Sequence, residues 1–286
     1  SGKIIRSFGF SKDNYPNAFI YPKALSSDAK KLFCRSDGET IQVWDLENGT
    51  LLHSLEGHRT RITRIAVAEN AERCISCEEG QVIVWDTQTG HRMHSIPMEM
   101  KNGMLALSSR GNTALLFDPQ PMNETMSVLD TRTGVITHTY RAPRRGIFTA
   151  MAVMPDERHA ILAGSDNMIS VLDIHSGNIQ LSIQKTSRIS QLAVSPDGRK
   201  AISDNPLEMW DTSSGQVLGT FPQHTKRILS LCFSTDGELV HILCDDKSVA
   251  SYKVRSGQLV GSCALFDRSP SSKEDHFEPG HSLSIS

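Results

Sequence analysis

Two features of this sequence could carry chemistry by residue type and spacing. Cys74 and Cys77 form a Cys-x-x-Cys pair, the half-site from which tetrahedral zinc centres are built. Eleven histidines stand beside 32 acidic residues, the groups from which acid–base and metal sites are drawn. Neither feature develops. A zinc centre needs two further ligands at matching spacing, and none follows Cys77; on a strand, positions three apart also point to opposite faces. The histidines scatter without ligand spacing, and His53, His91, His94 and His138 fall on or beside outer strands, where a solvated imidazole is the ordinary case. No Gly-x-Ser-x-Gly, phosphate loop or His-Glu-x-x-His occurs. No catalytic residue, cofactor or metal ligand is assigned, and the sequence does not read as an enzyme.

Any such residues would need elements to hold them, and composition bounds those elements. The chain has 286 residues, 38% hydrophobic and 22% charged, with net charge −2. That balance fits a folded domain and offers no bulk attraction to nucleic acid or an anionic membrane. No apolar run approaches the roughly 20 residues that span a bilayer, and the first residues lack the apolar core of a signal peptide. Cys34, Cys74, Cys77, Cys232, Cys244 and Cys263 are irregularly spaced, mostly within apolar runs. They read as buried thiols in a reducing compartment, which points to the cytoplasm. A start at Ser1 rather than Met reads as part of a longer chain.

The organising feature is a repeat. Val43-Trp44-Asp45 leads to Gly49, Val84-Trp85-Asp86 to Gly90, Val128-Leu129-Asp130 to Gly134, Val171-Leu172-Asp173 to Gly177, and Met209-Trp210-Asp211 to Gly215. In the sixth copy, Ser251-Tyr252-Lys253 to Gly257, the Asp is lost. The residue before Gly is Ser or Thr in all copies but the first. The Asp carboxylate can accept backbone N–H groups just ahead of it, and Gly supplies the left-handed conformation that closes a hairpin. A second turn recurs in phase: Ser195-Pro196-Asp197-Gly198 and Ser234-Thr235-Asp236-Gly237 are its clear copies, with weaker ones at Met154-Pro155-Asp156-Glu157 and Ser26-Ser27-Asp28-Ala29. Each period of about 40 residues thus holds four short strands, near 17–25, 31–35, 40–45 and 50–55 in the first unit. The expected class is an all-β propeller.

With Trp-Asp dipeptides and Gly57-His58 placed 27 residues before Trp85, the sequence resembles WD40 repeat proteins over essentially residues 1–263. Repeats end near 56, 96, 140, 183, 221 and 263, and residues 3–8 read as the outer strand of a preceding repeat. Residues 264–286 read as a loop or linker tail whose Gly280–Ile285 could begin a further repeat. Six blades plus part of a seventh leave two arrangements open, a piece of a sevenfold ring or a six-bladed ring with a spare strand. The common sevenfold geometry favours the first. The resemblance implies a buried His–Ser/Thr–Trp–Asp chain within a blade, near complete only in the second unit: His58, Ser76 and Trp85, with Glu79 in place of the Asp. Asp86 in the same unit, and Trp44, Asp45, Trp210 and Asp211 elsewhere, are the further structural residues. The fifth unit is short around Pro206-Leu207-Glu208-Met209, so its third strand is expected to pair poorly.

The resemblance also implies that the inter-blade loops and the loops between second and third strands share one face, the top. The first set is basic: Lys12, Arg59, Arg61, Lys101, Arg141, Arg144, Arg145, Lys185, Arg188, Lys226 and Arg227. The second is acidic, including Asp37, Glu39, Glu78, Glu79, Asp118, Asp166, Asp204, Asp245 and Asp246. The two sets could pair across the rim, at about 0–1 kcal/mol per exposed pair. Alternatively Arg59, Arg61, Lys101, Arg144, Arg145, Arg188, Lys226 and Arg227 receive a partner's acidic or phosphorylated segment. Interleaved acids argue against nucleic acid. The expected function is a protein-interaction scaffold; the alternative, from the resemblance of long degenerate arrays to NACHT and WD repeat domain-containing proteins, is the sensing arm of a signalling ATPase.

Overall fold

The computed structural model describes residues 6–10, 21–264 and 281–285, apart from 27, 29, 37, 69, 101–102, 120–123, 143–147, 222–225 and 247. After β1 (Arg6–Phe10) the chain builds six antiparallel sheets in which sequence order is spatial order. The first blade is β2 (Tyr21–Leu25), β3 (Lys31–Ser36), β4 (Thr40–Asp45) and β5 (Thr50–Leu55). The second is β6 (Arg64–Val67), β7 (Arg73–Glu78), β8 (Gln81–Asp86) and β9 (Arg92–Pro97). The third is β10 (Met104–Leu107), β11 (Thr113–Asp118), β12 (Thr125–Asp130) and β13 (Val135–Arg141). The fourth is β14 (Phe148–Val153), β15 (His159–Gly164), β16 (Met168–Asp173) and β17 (Ile179–Gln184). The fifth is β18 (Leu192–Val194), β19 (Lys200–Asp204), β20 (Leu207–Asp211) and β21 (Val217–Thr220). The sixth is β22 (Ile228–Phe233), β23 (Leu239–Cys244), β24 (Ser248–Lys253) and β25 (Leu259–Ala264), and β26 (His281–Ile285) follows.

The fold is a six-bladed propeller. Each first strand touches the first strand of the next blade, and β22 touches β2, so the ring closes at six. The sevenfold arrangement favoured by family geometry is therefore not the one adopted. β1 and β26 pair with each other, Arg6 opposite Ile285 and Phe10 opposite His281, outside the six sheets.

Strand position sets burial. Second and third strands are covered on both faces, as in β8, where Val82 to Trp85 are all buried. Their apolar runs are continuous rather than alternating, as a strand buried on both faces requires. Outer strands such as β5 alternate between exposed and half-buried residues. The fifth blade is short but pairs fully: Lys200 lies opposite Asp211, and the register runs without a break to Asp204 opposite Leu207. The expected weak pairing there is absent, because Pro206 falls in the turn and Leu207 onward can donate.

The period Asp does what its turn needs. Asp86 Oδ1 accepts the N–H groups of Gln88 at 2.8 Å and Thr89 at 3.0 Å, while Gly90 N–H donates to Asp86 O at 2.9 Å with Gly90 at φ +75°. Lys253 keeps only the backbone bond, from Gly257 N–H at 2.9 Å. Bonds from the Ser213 hydroxyl and Ser214 N–H pull the Asp211 pKa down to about 2. The Ser176 N–H and the Arg158 guanidinium hold Asp173 well below the usual carboxylate range.

The turn glycine also makes the seam between blades. A Cβ on Gly90 would stand 2.8 Å from His53 Nδ1, and one on Gly134 2.7 Å from His94. His53 Nε2–H donates to Gln88 O and His94 Nε2–H to Arg132 O, each at 2.9 Å. These two outer-strand histidines are half-buried inter-blade closures rather than solvated side chains. Further round, Tyr140 approaches Gly177 and Ile183 approaches Gly215.

Two measurements check this reading. Gly90→Ala meets both a left-handed φ and the His53 ring, and is expected to lose about 1–3 kcal/mol in urea unfolding. Adding His53→Ala should recover the steric part of that loss; a single variant as stable as wild type would contradict the seam. Because the turn carboxylates have depressed pKa values, their stabilisation is present above an unfolded value of roughly 3.9 and lost as pH falls toward 2. Asp211→Asn should lower the melting temperature at pH 7 and flatten its fall between pH 4 and 2; an unchanged acid profile would count against the turn.

Candidate functional site

Antiparallel order places the inter-blade loops and the loops joining second to third strands at one end of every blade. The loop between β5 and β6 is the most fully tied down. His58 is buried, and its Nε2 lies 2.6 Å from Ser76 Oγ, which also accepts Trp85 Nε1–H at 2.8 Å. The Ser76 hydroxyl can then donate to Nε2, leaving the imidazole proton on Nδ1, 3.6 Å from Glu78 Oε2. Burial lowers the His58 pKa against the opposing pull of Glu78, consistent with a neutral ring. Glu78 Oε2 in turn accepts Arg59 N–H at 2.8 Å, Thr60 N–H at 2.6 Å and Thr60 Oγ1–H at 3.0 Å.

The acid of this chain is thus Glu78, and Glu79 is exposed. The reason is strand alternation: residue 78 shares the face of Ser76 two positions before it, whereas residue 79 has entered the turn. Beneath the same loop, Arg35 is buried and Nη1–H donates to Ile62 O at 3.0 Å. Ile62 N–H donates to Gly38 O at 2.6 Å, joining the loop to the neighbouring blade. Held this way, Arg59 and Arg61 project exposed from the face, with Arg64 exposed at the start of β6. Arg64 was legible as the one charge opening an otherwise apolar inner strand.

The fifth blade answers the same problem with different chemistry. Lys185 stands four residues before buried Ile189, as His58 stands four before buried Ile62. Its ammonium pairs with Glu208 and lies 5.5 Å from the Trp210 ring centroid, with side chains only 6% and 11% exposed. Lys185 is therefore a buried strut and not a docking cation. Ser203 occupies the register of Ser76, since Ala201 opposes Trp210 as Cys74 opposes Trp85. Ser203 Oγ and Trp210 Nε1 have no hydrogen-bond partner among the described residues. In the first blade, Trp44 Nε1–H donates to Gln42 Oε1 at 3.2 Å.

The remaining basic positions divide. Arg188 and Arg227 are exposed. Lys226 pairs with Asp246 across the rim, so the two charge sets do meet at that point. Lys12, Lys101, Arg144 and Arg145 lie outside the described residues. Asp45, Asp86 and Asp211 close the turns at the opposite end. Among the described residues no group of three or more His, Cys, Asp or Glu could hold a metal ion, and no helix is long and apolar enough to cross a membrane.

The model of the WD domain, G-beta repeat family matches residues 49–86 and 215–252, so the chain carries WD40 repeats. Both stretches run from an outer strand, across a seam, to the third strand of the next blade. The chain is 22% identical over 248 residues to Autophagy-related protein 16 of Arabidopsis thaliana, covering 83% of this chain and 47% of that protein. It is 21% identical over 272 residues to Meiotic fizzy-related protein 1 of Schizosaccharomyces pombe, covering 89% and 61%. A third relative, WD repeat domain-containing protein 83 homolog of Dictyostelium discoideum, is 19% identical over 266 residues, covering 82% of each. The chain spans about half to two thirds of the first two relatives.

Breaking the buried pair should separate its two halves. Lys185→Met leaves Glu208 buried without its cation and is expected to cost about 3–5 kcal/mol in urea unfolding. Lys185→Met with Glu208→Leu should return close to wild type. A double variant as unstable as the single one would show that the pair is not the strut described.

Proposed function

We infer that this propeller is a protein-interaction scaffold that receives its partner on the top face, and that the partner presents an acidic or phosphorylated segment. WD40 propellers are generally non-enzymatic platforms of this kind. The observation carrying the reading is the tethered loop between the first two blades. Glu78 satisfies its backbone from below, so Arg59 and Arg61 stand exposed on a braced base. A braced cation loses less conformational freedom on binding than one on a mobile loop. Guanidinium groups match carboxylate and phosphate oxygens in bidentate geometry.

Arg188 and Arg227 extend the same chemistry over the fifth and sixth blades, and Lys101, Arg144 and Arg145 belong to loops of the same set. Lys226 contributes less, because Asp246 already holds it. The partner is read as a protein and not a nucleic acid, since exposed Glu39, Glu79 and Asp245 are interleaved with these cations and would repel a continuous phosphate backbone.

Affinity capture from cells tests the reading. Wild type is compared with Arg59→Glu/Arg61→Glu/Arg188→Glu/Arg227→Glu after equal melting temperatures are established. The specific partners should fall by at least about tenfold in the variant, the loss of a charged hydrogen-bonded contact or two, and their common segments should be acidic or phosphorylated. Retention of the same partners at wild-type level would overturn the top-face site.

A further inference from the structure

We propose that the seam between the sixth and first blades, where the ring closes, is sensitive to protons: protonation of His241 loosens it, and the ring opens there first. The inference concerns the ring itself and does not depend on the docking surface.

One row of side chains crosses each sheet on the face that packs against the next blade. At its centre a second-strand residue stands opposite a third-strand residue. In five blades both are apolar: Phe33 and Val43, Ile75 and Val84, Leu115 and Val128, Ile161 and Val171, Ile202 and Met209. On the inner strand the same row is alanine in all five. Each of these rows belongs to an apolar cluster shared with the following blade. In the sixth blade the row reads Cys232, His241 and Ser251. Its strand neighbours Val240 and Ile242 pack against the fifth blade, so alternation turns His241 toward the first.

The imidazole is buried with little to receive a charge. His241 is 8% exposed, and its Nδ1 lies 2.8 Å from Ser251 Oγ. Protonation makes both ring nitrogens donors. The carboxylates around it are Asp236 in its own blade's turn and Asp28 in the first blade's. Each is already committed to that turn. Asp236 Oδ1 accepts the Ser234 hydroxyl at 2.5 Å and Glu238 N–H at 2.9 Å. Asp28 Oδ1 accepts the Ser26 hydroxyl at 2.5 Å and Lys30 N–H at 3.0 Å. Phe33, Ile41 and Val43 pack toward the second blade, so β3 and β4 turn the uncharged Leu32, Cys34, Gln42 and Trp44 to the closing seam. The contrast is His58, which is also buried but has Glu78 Oε2 at 3.6 Å from its Nδ1.

Burial lowers the His241 pKa, against the weaker opposing pull of Asp236 and Asp28. An imidazole held below its unfolded value of about 6.5 takes up a proton when the seam opens. The seam is therefore fully stabilised above about pH 6.5 and loses stability as pH falls below that. The loss ends once the closed form is protonated as well.

Hydrogen exchange with mass detection on the whole chain, at pH 7.5 and pH 5.5, tests this. Opening constants are referred to the intrinsic exchange rate at each pH. At pH 7.5 the blades should open together. At pH 5.5 the amides of β3, β4, β23 and β24 should open more readily than those of β11 and β12. The excess should be several-fold and at most about tenfold, the limit for one proton and an unfolded pKa near 6.5. His241→Ile with Ser251→Val installs the fourth blade's pair; it should keep or raise the melting temperature at pH 7.5 and abolish the excess. His241→Gln, which cannot titrate, should abolish it too, whatever its effect on overall stability. An equal rise in all blades, no rise, or an excess that persists in His241→Gln would overturn the proposal.

Discussion

A blade of four short strands cannot bury both of its faces alone, and every other property of this molecule follows from how that burial is met. Each sheet uses its two neighbours, so the structural unit is the seam and not the blade. The seam is built from small, specific contacts: a turn glycine in left-handed geometry, and an outer-strand side chain from the preceding blade lying over it. Closure of β22 onto β2 means that no blade is left with an uncovered face. A fixed ring then gives every inter-blade loop a fixed place on one face.

The buried polar chemistry follows the same constraint. An inter-blade loop crosses the top of each seam and carries backbone donors that must be satisfied. Between the first two blades Glu78 satisfies them, positioned by the same strand that holds Ser76 against His58 and Trp85. Between the fourth and fifth, a Lys185–Glu208 pair braces the loop from a position His58 fills elsewhere. The two solutions differ in chemistry and agree in effect, since one leaves Arg59 and Arg61 and the other Arg188 exposed on a supported loop. Degenerate repeats can therefore keep the ring while varying what its face presents.

Much of this was readable in the residues. The Asp-to-Gly period and the Ser-x-Asp turns are local, so spacing alone placed the strands of the first unit close to where they lie. Long-range pairings were not. His53 and Gln88 are 35 residues apart, and nothing in either's neighbours marks their contact. Lys185 looked like one more rim cation until strand register set it against Glu208. Glu78 and Glu79 are adjacent and chemically alike; only the end of β7 decides which one faces inward. Ring size depends on the rotation between neighbouring blades, a quantity no single repeat encodes; the strands at the two ends left six and seven open, and the common sevenfold geometry of the repeat favoured seven where the packing makes six.

The claim underlying all of this is that the six seams form one closed, mutually supporting ring. Hydrogen exchange with mass detection across a urea series tests it directly. Amides of β3 and β4 in the first blade and of β23 and β24 in the sixth should lose protection at the same urea concentration as those of β11 and β12 in the third. If the first and sixth blades open at clearly lower urea than the third, the array behaves as an open stack with free ends, and the closed ring is contradicted.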